Sequence, residues 1–173
     1  MSKAVMLSVR PKWVEKIANG EKTIEVRKTR PKLDTPFKCY IYCTQSGVAL
    51  GAWGKHGKVV GEFTCDRIDR LAPANEPYGI YDIDDDYVLQ TCLWNGALWD
   101  YGHGTPLYGW HISNLKIYDT PKELIEFHTW KKCKSCSKSG YESTACIYDE
   151  NCMIPAAIAK APQNWCYVEN MEG

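Results

Sequence analysis

Short apolar runs separated by turn residues dominate the amino-terminal half of the chain. Val5-Met6-Leu7-Ser8-Val9 has the length of a buried strand. Arg10-Pro11 then changes the period: Pro11 suits a first helical turn, and Trp13/Ile17 and Val14/Ala18 repeat at a spacing of four. Asn19-Gly20 ends this helix with residues that tolerate a positive φ. Thr23 to Arg27 alternates with period two, which sends Ile24 and Val26 to a core and Glu25 and Arg27 to the opposite face. A basic, proline-containing connection runs from Lys28 to Pro36. Phe37 to Thr44 reads as a strand with Cys39, Ile41 and Cys43 on one side and Tyr40 and Tyr42 on the other. After a glycine-rich loop from Gln45 to His56, the next strand spans Lys58 to Cys65.

The second half mixes elements. Asp82-Ile83-Asp84-Asp85-Asp86 precedes the apolar stretch Tyr87 to Leu93, as suits a helix whose amino end the acids neutralise. A calcium loop would need the twelve-residue pattern with its glycine and terminal glutamate, which is missing. Asn95 to Gly109 reads as an aromatic, glycine-rich loop, with Trp94, Trp99, Tyr101, His103 and Tyr108 in or beside it. Such rings can stack on bases or plug the end of a barrel. Trp110 to Tyr118 is a strand whose apolar positions change parity, the mark of a bulge. Thr120 to Phe127 predicts a short capped helix, and Trp165 to Val168 a last strand. The succession predicts an α+β, mainly β protein: a barrel of short strands with short flanking helices.

Composition adds limits. At 173 residues and 19.7 kDa, the chain fits one domain, or one with a small appendage. No apolar run approaches the roughly 20 residues of a membrane span, and the amino terminus lacks the regions of a secretory signal. A cytoplasmic protein without membrane contact is the expectation. Net charge is zero, yet residues 1–38 carry ten lysines and arginines against four acids, while residues 62–100 carry two arginines against nine acids. The basic segment can hold phosphates locally, or the two segments can attract each other within the fold.

The chemistry concentrates at one spot. Lys22 follows a helix end, where an ammonium can point into a cleft, and Glu25 and Arg27 project from one strand face. A lysine beside a carboxylate can bind phosphate or, once desolvated, act as a base. An arginine supplies bidentate recognition of a phosphate or a base edge. The plainer alternative is a surface ion-pair ladder, worth under about 1 kcal/mol.

Gly20-Glu21-Lys22-Thr23-Ile24-Glu25-Val26-Arg27 resembles the Gly-x-Lys-x-x-Glu-x-Arg signature of the ASCH family, whose fold is PUA-like. Leu7 to Trp13, Lys38 to Thr44, Gly57 to Phe63 and Gly109 to Ser113 resemble family segments in the same order. Pro162 to Val168 resembles the closing segment of small prophage-encoded members. The resemblance implies a PUA-like β-barrel and binding of RNA or a nucleotide in a cleft beside it. Lys22, Glu25 and Arg27 would line that cleft, with Ser8, Arg10, Lys12 and Trp110 as neighbours. Some compact members hydrolyse N4-acetylcytidine with a lysine, a threonine and a glutamate. That similarity implies Lys22 as the base and Glu25, standing where their threonine stands, as a second catalytic candidate. Thr23 points to the other face, and Glu76 is the available carboxylate after the fourth strand. A phage-encoded module that contacts a host protein is a further alternative.

Nine cysteines complete the picture. Cys39, Cys43, Cys65, Cys92 and Cys166 are scattered and mostly lie in strand-like runs, as small buried hydrophobes do. Cys133, Cys136, Cys146 and Cys152 cluster in a polar stretch that would hardly fold without a staple. The first pair has zinc-knuckle spacing, so four thiolates predict a structural zinc, with disulfides or free thiols as alternatives and His128 as a substitute ligand. Against the family pattern the cluster is an insertion, 132–154, that divides the barrel into 1–131 and 155–173.

Overall fold

The computed structural model describes residues 3–45, 56–74, 79–132 and 153–171. The described residues form eight strands: β1 (Lys3–Val9), β2 (Ile24–Arg27), β3 (Phe37–Cys43), β4 (Lys58–Leu71), β5 (Leu107–Lys122), β6 (His128–Lys132), β7 (Met153–Ala157) and β8 (Trp165–Glu169). Helix α1 (Pro11–Ala18) follows β1, and α2 (Asp85–Thr91) and α3 (Asn95–Gly102) lie between β4 and β5. Six strands form one mixed sheet in the order β2-β5-β4-β3-β1-β8, and β6 and β7 pair separately.

Strand β1 is internal, parallel to β3 and antiparallel to the edge strand β8. Its side chains alternate between two cores. Val5, Leu7 and Val9 pack with Val14 and Ile17 of α1, while Ala4 and Met6 pack with Tyr40, Phe127 and Val168. Both faces are covered, so the strand reads as a continuous apolar run rather than an alternation. Strand β3 divides as the sequence predicts, with Cys39, Ile41 and Cys43 in the first core and Tyr40 and Tyr42 in the second. Helix α1 begins with Pro11 in its first turn, and Gly20 just beyond it takes φ 75°.

The mainly β class is as expected, but the sheet does not close into a barrel. Strands β2 and β8 remain its edges, with no ladder between them. The edge strand β2 is only four residues long, and the basic, proline-containing connection after it leaves the sheet. Register shifts between Val59 and Gly61, Glu62 and Thr64, and Cys65 and Ile68 bend β4 against β5 and raise the local twist. The curled sheet thereby brings its two ends close enough for side chains to bridge them. Trp165 Nε1 donates to Thr29 Oγ1 at 2.9 Å, and Arg27 Nη1 donates to Asn164 Oδ1 at 2.7 Å.

Two expectations fail for local reasons. Residues 95–102 are helical rather than loop, because Leu98 and Trp99 pack into a third core with Val26, Leu71, Tyr81 and Leu107. Gly102 fits there because the Tyr81 hydroxyl occupies the space a Cβ would need. Residues 120–127 form no α-helix. Strand β5 runs on to Lys122, with residues 118–121 bulging out between the pairs Gly61–Ile117 and Val59–Lys122, which accommodates Pro121. Only Leu124–Glu126 then turns as a 3-10 helix, capped reciprocally by Glu123 and Glu126. The acids before α2 behave as expected, with Asp84 accepting from the Tyr87 amide at 2.7 Å. Among the described residues no helix is long and apolar enough to cross a membrane.

Candidate functional site

The turn after α1 and the short strand β2 set the site. Lys22 N donates to Lys16 O, and Thr23 N donates to Gln90 O, so this segment is held between α1 and α2. Lys22, Glu25 and Arg27 are only 2%, 7% and 6% exposed. The surface-ladder reading therefore fails: all four residues of β2 are buried, because α2, α3 and the residues before β8 cover the face that the alternation turns away from the core.

The three charges form one network. Arg27 Nη2 lies 2.9 Å from Glu25 Oε1, and Lys22 Nζ lies 3.4 Å from Glu25 Oε2. Lys22 also donates to the Thr91 carbonyl at 2.6 Å, at the carboxyl end of α2, where the helix dipole favours a cation. Arg27 Nη2 donates to Ser8 O at 2.9 Å and Nη1 to Asn164 Oδ1 at 2.7 Å. Four separated stretches of chain thus converge on two cations and one carboxylate. Burial pushes the Lys22 pKa down, and Glu25 only partly restores it. Such a lysine holds its proton less tightly than an exposed one.

Above the network lies a cavity of about 590 Å³. Its lining contains five cationic side chains, Arg10, Lys12, Lys22, Arg27 and Lys28, against the single carboxylate of Glu25. Lys22 and Arg27 are engaged at the floor. Arg10, Lys12 and Lys28 are exposed and have no carboxylate within ion-pair distance among the described residues. Two rings also line the cavity. Trp13 carries Lys12 Nζ 4.4 Å from its ring centre, and Tyr101 carries Lys28 Nζ at 4.9 Å. Thr44, Gln163 and Asn164 add neutral hydrogen-bonding groups to the lining.

Six of the seven binding candidates named from the sequence meet here: Ser8, Arg10, Lys12, Lys22, Glu25 and Arg27. The Ser8 hydroxyl is already committed, donating to Pro162 O at 2.6 Å. Trp110 is not part of the lining. It is fully buried, edge-on to Phe37 at 5.8 Å and 6.1 Å from Trp165. Trp13 and Tyr101 are the aromatic walls instead, one from a helix face and one from a stretch read as loop. Asn164 and Thr91 carry no motif of their own; only folding brings them to Arg27 and Lys22. His128 opens β6 rather than ending a helix. Among the described residues no group of histidine, cysteine or carboxylate side chains could hold a metal ion. Cys133, Cys136, Cys146, Cys152 and Glu76 lie outside the described residues.

An open curled sheet with a buried Lys-Glu-Arg network beside a cationic cavity is the arrangement to set against known proteins. Residues 7–81 match the family model of the ASCH domain, a span that holds Lys22, Glu25 and Arg27. The likeness to that family lies in this segment of the chain. Its fold is similar to the crystal structure of ASCH from Zymomonas mobilis, with a TM-score of 0.52 and 20% identity over 70% of this chain and 73% of that one. Structures of two point mutants of that protein align similarly, with TM-scores of 0.53 and 0.52 and identities of 19% and 20%. They cover 71% and 70% of this chain, and 77% and 74% of theirs. No curated protein matches the chain in sequence.

The depressed Lys22 pKa has a measurable consequence. An unfolded lysine titrates near its ordinary 10.5 and the folded one lower. Between the two, the unfolded chain binds the extra proton, so this position's contribution to stability rises with pH. Chemical denaturation from pH 7 to 10.5 should show wild type gaining on the Lys22→Met variant as pH climbs. A difference that stays flat would mean that the buried ammonium titrates normally.

Proposed function

We propose that the cavity binds single-stranded RNA or a nucleotide, with phosphate at the Arg10, Lys12 and Lys28 rim and a base in the interior. The supporting observation is the lining itself: five cations against one carboxylate, with two aromatic walls. Rim cations without carboxylate partners are free to neutralise phosphates, and the rings offer flat apolar surface to a base. The Glu25 carboxylate has acceptor capacity left beside its two cations, enough for an amino or imino group on a base edge. The cavity volume falls within the usual range for small-ligand sites.

Titration of a fluorescent RNA oligomer across salt concentrations tests this reading. Affinity should fall as salt rises, and Lys12→Ala and Lys28→Ala should each weaken binding. Each variant should also flatten the log–log salt slope by about 0.7, the value for one phosphate contact on a single strand. Salt-independent binding, or slopes unchanged in both variants, would remove the phosphate assignment.

A second reading rests on the desolvated Lys22 next to Glu25: hydrolysis of an N4-acylated cytidine. Neutral Lys22 would take a proton from water as its oxygen attacks the acyl carbonyl. The proton would then pass to the departing N4, leaving cytidine and a carboxylate. Incubation with N4-acetylcytidine should release cytidine from wild type and none from Lys22→Ala. Equal release from both would exclude Lys22 as the base, and none from either would exclude the substrate.

We also propose a structural zinc on Cys133, Cys136, Cys146 and Cys152. Its support is the β6–β7 ladder, in which Lys132 pairs with Met153. The chain positions next to the cluster thus stand opposite each other, and four thiolates are a complete tetrahedral set for zinc. Metal analysis should find one zinc per chain, lost in a Cys133→Ser, Cys136→Ser double variant. Metal-free protein without titratable thiols in the cluster would establish disulfides instead.

A further inference from the structure

Trp94 is 68% exposed, an unusual position for the largest apolar side chain. Its place is fixed rather than incidental. The residue caps α3, its carbonyl accepting from Leu98 N at 3.1 Å. Its six-membered ring lies against Gly96, where any Cβ would overlap the ring carbons. The glycine lets one side of the indole rest on the helix backbone while the remainder faces solvent. Leu93, its neighbour in the chain, and Ala97, three residues on in α3, line the cavity, while Trp94 itself lies outside the lining. A large ring, held in place, is thus joined directly to the cavity wall through Leu93.

We infer that Trp94 is a stacking platform for a base adjacent to the one in the cavity, so that the ligand is a single-stranded oligonucleotride segment rather than a free nucleotide. The inference rests on the nucleic-acid reading above and narrows it. Stacking on an indole tolerates any base, since every base has a π face. A ring held before binding loses little freedom when the ligand arrives, which favours this use over a mobile side chain. The charge pattern agrees. Phosphates are drawn to the rim cations of the cavity, while Asp84, Asp85 and Asp86 stand at the far end of α2, roughly 10 Å along its axis at 1.5 Å per residue. A strand that turned along α2 toward those acids would be repelled. A cavity base followed by one stacked base is the track that remains.

The test compares a fluorescent uridine decamer with uridine 5′-monophosphate on wild type, Trp94→Ala, Trp94→Phe and Gly96→Ala. Trp94→Ala should lose about ten-fold in affinity for the decamer and none for the mononucleotide, and Trp94→Phe should keep most of the wild-type affinity. Gly96→Ala retains the indole but pushes it off its seat, and should resemble Trp94→Ala on the decamer. Alanine favours helix over glycine, so loss of fold is not expected from that change, and circular dichroism checks it. If wild type binds both ligands and Trp94→Ala binds the decamer as tightly, the platform is overturned while the cavity reading stands. If wild type binds neither, the nucleic-acid reading itself fails and the platform with it.

Discussion

Glu25 lies buried between two cations on a strand four residues long, and the architecture around the cavity depends on that arrangement. A carboxylate in this position loses its hydration, at a cost of several kcal/mol. Lys22 and Arg27 offset that cost, and each then needs further acceptors. Lys22 finds the Thr91 carbonyl at the end of α2, and Arg27 finds Ser8 on β1 and Asn164 before β8. The charge pairing thus ties together segments separated by 69 and 137 residues in the chain. A network of this kind is weak evidence for stability, since an apolar replacement often packs as well. What it does fix is geometry: the relative placement of α2, β1, β2 and the chain entering β8.

The open sheet and the network belong together. A closed barrel would carry a ladder between β2 and β8 and leave no space beside Arg27. Here the bulges in β4 and β5 curl the sheet until its edges approach, and β2 stops before a ladder can form. Side chains span the gap in place of backbone, through Arg27, Asn164, Thr29 and Trp165. The opening that results is lined by Arg27 and Asn164 of this group and by Lys12 and Trp13 at the start of α1. Edge strands usually invite pairing with another chain, but β2 is short, flanked by basic residues and covered by α2 and the cavity wall.

Much of this was legible in the sequence, and the parts that were not share a cause. Period-two alternation located β2 and β3, and the side-chain assignment of β3 to two cores follows directly from it. The lysine, glutamate and arginine of the signature were identifiable by type and spacing. Their burial was not, because the cover comes from α2 and α3, seventy residues later. Trp110 looked like a site residue by its place in a family-like segment, yet its ring enters the core against Phe37. Tyr101 and Trp99 sat in a stretch whose glycines suggested a loop. Those glycines instead admit Tyr81 and Trp94 close to a helix backbone. Sequence pattern reads local periodicity well; it does not show which distant aromatic presses on a glycine.

Charge explains how one small protein can keep a cavity both formed and receptive. The floor is internally paired, with Lys22, Glu25 and Arg27 engaged by one another and by backbone carbonyls. The rim is different: among the described residues Arg10, Lys12 and Lys28 have no carboxylate within ion-pair distance, and two of them rest over aromatic rings. Cation–π contacts at exposed sites are worth only about 0.5–1 kcal/mol, so an arriving phosphate can draw these ammonium groups away and free the ring faces at the same step. On the proposed nucleic-acid reading, the same side chains would cover Trp13 and Tyr101 and uncover them when a phosphate binds. Affinity for the charged part of such a ligand and access for its flat part would then be coupled through two lysines.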